Sequence, residues 1–116
     1  MEQTENNTVT VEDFKKMDLR IGTIRTAEPV PNADKLLRLL VDLGEEESRQ
    51  IIAGIAPFIA DPAALIGTQC VFIANMAPRE LRGFTSNGML LAASTEDGRF
   101  AFLVPSVALP AGTRLK

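Results

Sequence analysis

The stretch DLRIGTIRTAE, residues 18–28, decides the fold. Leu19 and Ile21 lie on one face at period two, Gly22 intervenes, and the apolar register resumes at Ile24. A glycine at a register shift inside a strand predicts a bulge or sharp bend. A small barrel needs such a bend, because one strand must turn a corner to help close it. Pro29 and Pro31 end the strand, and Pro31-Asn32-Ala33-Asp34 reads as a turn. Leu37, Leu39, Val41 and Leu43 then alternate without a break, the pattern of a half-buried second strand. Gly44 and the run Glu45-Glu46-Glu47 make an exposed, solubilising hairpin turn, and Arg49 to Ala53 reads as the returning third strand.

Downstream, Asp61-Pro62 opens a short helix over 62–66 that Gly67 stops. Thr68 to Ala74 is a nearly continuous apolar run, hence a buried strand. Residues 75–87 hold Pro78, Gly83, Ser86 and two arginines and read as a long loop. Gly88 to Ala93 is a further strand, and Asp97-Gly98 signals a hairpin whose partner strand runs from Ala101 to Val104. A short closing strand is expected at 113–115. Upstream, Thr10 and Asp13 form a shortened capping box, with Val9 and Phe14 as a hydrophobic staple, for a helix over 11–16. Residues 1–8 are expected to be a flexible polar tail and 9–116 a single domain. Five strands with a short helix between the third and fourth predict an all-β, OB-type barrel with a C-terminal β-containing extension. A small sandwich or another small barrel is the alternative.

The 116 residues suit one domain, 46% hydrophobic and 23% charged, which argues against disorder. The polar start MEQTENNTVT has no signal core, and no apolar stretch approaches the ~18 residues that span a membrane. A single cysteine excludes an intramolecular disulfide and fits a reducing, cytoplasmic setting. The absence of histidine excludes His-based acid–base catalysis and the usual His-rich zinc sites. Nucleotide-binding, nucleophile-elbow and CxxC motifs are absent, so neither a catalytic residue, a cofactor nor a metal is expected. Cys70, inside TQCVFIA, reads as a small buried hydrophobe.

Net charge is −3, which disfavours a broad polyelectrolyte-binding surface. The second half is nevertheless weakly basic, and three places could bind. The first is Asn32 to Leu36, where Asn32 and Asp34 can close the turn on local backbone and Lys35 projects from it. The second is Asn75 to Gly83, where Arg79 and Arg82 make a compact cationic loop; the arginine fork suits phosphate. The third is Thr85-Ser86-Asn87-Gly88-Met89, small polar donors ahead of a buried strand. With no tryptophan or tyrosine and six phenylalanines, an aromatic platform for unpaired bases is poorly supported. Turn chemistry and solvated loops account for the same residues without any ligand.

Five segments in order carry a resemblance: DFKKMDLRIGTI, PNADKLLRLLVDLG, IIAGIAP, LIGTQCVFIANMAPRELRGFTSNGMLLAA and LVPSVALPAGTRLK. Over residues 9–116 they resemble the EMAPII-type tRNA-binding domain, as found at the C-terminus of bacterial methionyl-tRNA synthetases and in free-standing tRNA-binding proteins. The resemblance implies an OB fold with a C-terminal extension, a homodimer, and non-catalytic binding of folded tRNA by shape and backbone, assisting a methionyl-tRNA synthetase catalytic chain. It implies RNA contacts at Asn32, Lys35, Asn75, Arg79, Ser86 and Met89; charge and position add Arg82 and Asn87. Glu80 stands where many relatives carry lysine, which lowers the expected affinity. Weak binding would then serve a tethered module, where effective concentration compensates. The chaperone-like CsaA proteins share the fold, and a protein-binding role of that kind is the alternative; the intact Asn-Ala-Asp-Lys-Leu loop looks less like them.

Overall fold

The computed structural model describes residues 7–116; the first six residues of the expected tail lie outside the described residues. Helix α1 (Val11–Lys15) starts as the sequence predicts: the Thr10 hydroxyl accepts from the Asp13 amide and the Asp13 carboxylate accepts from the Thr10 amide. The staple differs, for Val9 is 77% exposed and nothing on α1 is buried.

The strands are β1 (Leu19–Pro29), β2 (Leu37–Asp42), β3 (Arg49–Ala53), β4 (Gln69–Ile73), β5 (Arg79–Leu81), β6 (Phe84–Ser86), β7 (Met89–Leu90), β8 (Ala92–Ser94) and β9 (Phe100–Phe102). Five form an antiparallel sheet in the order β3-β2-β1-β4-β7. Its edges meet where the Asn87 amide donates to the Gln50 carbonyl and the Ile52 amide to the Ser86 hydroxyl. The result is the nearly closed OB-like barrel that the sequence predicts. Leu37, Leu39, Val41 and Leu43 point into it, with Ile24, Ile51, Cys70 and Phe72, all at most 1% exposed. The short helix is a 3-10 turn, Pro62–Leu65, capped by Asp61; a second such turn, Ala56–Phe58, was not anticipated.

The bend in β1 is real but sits elsewhere. Pairing with β4 is regular through Gly22, and the register shift falls between Ile24 and Thr26, against β2. Gly22 is a close contact instead. A Cβ there would come within 2.7 Å of Phe72 and 2.8 Å of both Leu43 and Val41. The apolar pattern changes phase because β1 is packed on both faces: Gly22 and Ile24 face the barrel, whereas Ile21 pairs with Val71 beneath the C-terminal extension. That extension lies along β1, through hydrogen bonds from Gly112 to Ile21, Ile21 to Thr113 and Leu115 to Leu19. The expected closing strand is this single bridged segment.

Residues 75–87 are not one long loop. β5 and β6 form a hairpin whose two-residue turn, Arg82-Gly83, has φ of 53° and 85°. Positive φ at both positions is the type I′ geometry that matches strand twist. The expected strand at 88–93 is broken between β7 and β8, and the Asp97-Gly98 turn joins β8 to β9.

Candidate nucleic-acid interface

The hairpin β5–β6 organises the site. Its turn reaches the Asn32–Leu36 loop, where Arg82 and Lys35 line one hollow of about 370 Å³. Its base adjoins a groove of about 720 Å³ lined by Met76, Pro78 and Asn87 on one side and Glu45, Glu46 and Glu47 on the other. Arg79 and Arg82 lie three positions apart on the ribbon, about 10 Å along an extended chain.

Charge on this ribbon is uncommitted. Of the 12 lysines and arginines, seven hold a carboxylate: Lys16, Arg20, Arg25, Arg38, Arg49, Arg99 and Arg114. Among the described residues Lys35, Arg79 and Arg82 have no ion-pair partner, and the other two free cations, Lys15 and Lys116, lie near the ends. Glu80 does not neutralise Arg79. It faces Thr85 across the hairpin and accepts from its hydroxyl, on the side of the ribbon opposite Arg79.

The ribbon is braced from below. The Arg38 guanidinium lies 5.6 Å from the Phe84 ring centroid and donates to Gln50 at 2.6 Å and Glu28 at 3.1 Å. Gln50 donates in turn to the Thr85 carbonyl at 2.8 Å. A cation over an aromatic face and a satisfied amide fix the hairpin's angle to the barrel. Sequence reading missed Arg38 and Gln50. The available signal was a pair of polar residues on the outward face of β2 and β3 together with a lone apolar Phe84 in a polar segment.

Several candidate residues have structural tasks. Asn75 is one: its carbonyl oxygen accepts from the Asp18 amide and its amide group donates to the Lys16 carbonyl, tying β4 to the α1–β1 junction. Ser86 is 3% exposed and bridges Ile52 to the Gly88 carbonyl. Asn32 takes φ of 61°, and its loop is closed by backbone bonds, Ala33 to Val30 and Val30 to Leu36, not by the Asn32 or Asp34 side chains. Asn87 is held through its backbone and lines the groove; Met89 is 42% exposed.

Glu45 does more than solubilise. It takes both Nε and Nη2 of Arg49, at 2.9 and 2.7 Å, and Arg49 also donates to the carbonyls of Ala74 and Asn87. Arg20 links Glu45 to Asp18, which Arg114 also reaches. The Arg20 hydrogen bond holds Asp18 below its ordinary 3.8, and the Arg49 hydrogen bond holds Glu45 below 4.5. Cys70 is buried opposite Gly22 on β1, and burial pushes its thiol up to about 11, so it packs as a hydrophobe. No helix among the described residues is long and apolar enough to cross a membrane.

Residues 19–114 match the family model described as "Putative tRNA binding domain". The methionine–tRNA ligase of Salinibacter ruber is 55% identical over 95 residues, 82% of this chain and 13% of that ligase. The chain thus spans about an eighth of that relative's length. Among solved structures, a MetRS-related protein from Pyrococcus horikoshii has a TM-score of 0.86 at 34% identity, covering 95% of this chain and 99% of that one. The chaperone CsaA of Bacillus anthracis has a TM-score of 0.82 at 37% identity, covering 94% and 99%.

Proposed function

The chain belongs to the tRNA-binding-domain family, and from that premise we propose that it is a non-catalytic module that binds folded tRNA through its backbone and shape. Lys35, Arg79 and Arg82 supply the phosphate contacts, with Asn32, Asn87 and Met89 at the margins. Asn75 and Ser86 act by holding the loops that carry them. The observation that carries this reading is the set of three exposed cations left without carboxylates, Arg79 and Arg82 on a braced ribbon and Lys35 on the loop that its turn reaches. An arginine fork free of intramolecular partners breaks no ion pair when a phosphate arrives. The likeness to methionine–tRNA ligases supports a role beside such a catalytic chain in the cytoplasm, where tethering lets a weak module contribute.

The module acts as a homodimer in this reading. Leu103, Val104 and Val107 are 40%, 57% and 65% exposed on the C-terminal extension, beside a hollow lined by Ile21, Val71 and Leu109. A twin covering this strip by two-fold symmetry removes apolar surface from water. A protein-binding role is the second reading, favoured by the likeness to CsaA; suppression of a client's aggregation that tRNA does not compete would establish it instead.

The test is Arg79→Ala combined with Arg82→Ala. Both sites are exposed, so the thermal midpoint stays near that of the parent. Affinity for labelled bulk tRNA falls by about tenfold or more, since each lost contact is a charge-assisted hydrogen bond. Unchanged affinity would remove the site.

A further inference from the structure

Three of the six phenylalanines gather outside the barrel. The Phe58 and Phe100 rings are stacked, with centroids 4.7 Å apart and planes 8° from parallel. Phe102 meets Phe100 edge-on at 5.0 Å and 85°. Phe100 and Phe102 also pack against the core, so the array is mounted on the barrel. Phe58 is its outer member. One of its faces is covered by Phe100, yet the residue is 45% exposed. Phe58 is therefore held in a stack on one side and remains partly open to solvent.

Its location gives the ring a ligand class. Phe58 closes the 3-10 turn Ala56–Phe58, and the Ala56 amide donates to the Lys35 carbonyl at 3.2 Å. Ala56 and Ile59, either side of Phe58, line a hollow of about 380 Å³ together with Asn32 and Asp34. The turn that carries Phe58 is thus hydrogen-bonded to the backbone of Lys35, an unpaired cation that itself lines the neighbouring hollow with Arg82. A flat apolar face beside a phosphate-binding charge is the pairing that takes a nucleotide, base on the ring and backbone on the cation. The ring is held by its own stack, so little ordering remains to oppose binding.

We propose that Phe58 is a stacking platform for an unpaired base of the bound RNA, with Lys35 holding the adjoining backbone. The proposal rests on the tRNA-binding reading above and adds base contact to what shape and backbone supply. It also revises the expectation drawn from the absence of tryptophan and tyrosine: the aromatic surface is assembled from residues 58, 100 and 102, far apart in the chain.

That same absence gives the experiment a clean reporter, since Phe58→Trp introduces the only indole in the protein. Labelled bulk tRNA is titrated and binding is read by anisotropy of the tRNA, independently of indole emission. The expected result is that Phe58→Trp binds tRNA at least as well as the parent and its emission is quenched along the same isotherm. Phe58→Ala, checked for folding by its melting curve, loses about tenfold in affinity. Bound tRNA with unquenched indole, or parental affinity in folded Phe58→Ala, overturns the platform and leaves the tRNA-binding reading standing. Absence of tRNA binding by the parent protein overturns both. If Phe58→Ala fails to fold, the quenching arm decides alone.

Discussion

Gly22→Ala separates two meanings of one glycine. Were Gly22 a bulge, an added methyl would cost little beyond local twist. The structure gives it a different task. The new Cβ would fall 2.7 Å from Phe72 Cδ1 and 2.8 Å from both Leu43 Cδ2 and Val41 Cγ1. All three neighbours are 0% exposed, so none can swing into solvent. Overpacking a full core costs about 1–3 kcal/mol, and three simultaneous clashes place this variant toward the upper end. For a domain of this size that lowers the melting midpoint by roughly 5–15 °C. Gly54→Ala is the control: its Cβ would meet only the Lys35 carbonyl, at 3.9 Å, and its backbone lies outside the left-handed region. There the loss of chain entropy in the unfolded state leaves stability equal or about 0.4–1 kcal/mol higher. Urea melts of both variants at matched slope make the comparison. A Gly22→Ala protein within about 0.5 kcal/mol of the parent would refute the packing argument.

Other consequences follow from the same structure. Ser86→Ala leaves the buried Ile52 amide without its acceptor where the sheet edges meet, and lowers stability by about 1–3 kcal/mol in urea melts; an unchanged midpoint would mean that the edges close without it. Asp18 and Glu45 have folded-state values below their ordinary 3.8 and 4.5. Their contribution is therefore complete above about pH 4.5 and lost as pH falls through the lower folded-state values. Asp18→Asn is expected to be less stable than the parent near neutrality, with the gap narrowing in acid; a gap that does not change with pH would contradict this. Val107→Asp puts a charge on the exposed strip of the C-terminal extension and shifts a dimer to monomer in sedimentation. A parent protein with monomer mass at every concentration would dispose of the dimer instead.

What was legible in the sequence was what neighbours along the chain decide. The alternation from Leu37 to Leu43 places β2, and the Thr10–Asp13 box starts α1, because both depend on residues a few positions apart. Gly22 was misread because its constraint comes from three side chains that are distant in sequence. The hairpin β5–β6 was read as loop because Arg82 takes a left-handed conformation that turn signals assign to asparagine, aspartate or glycine. In the candidate site, Arg79 and Arg82 stand out in the sequence by charge and Lys35 by its place on a turn, and the structure leaves all three without an ion-pair partner among the described residues. Residue type alone does not distinguish Asn75 and Ser86, whose polar atoms bind protein backbone, from groups turned toward a ligand. Arg38 and Gln50 escaped notice because bracing is visible only once β2, β3 and β6 are brought together.

The most direct measurement is the binding of folded bulk tRNA at about 50 and about 200 mM salt, with an unstructured RNA of equal length as competitor. Three phosphate contacts release about two to three counterions, so affinity should fall roughly 20- to 40-fold across that range. The unstructured RNA should fail to displace the tRNA, because folded shape carries the preference. Binding that ignores salt, that the unstructured competitor abolishes equally well, or that is absent at low salt would contradict the account.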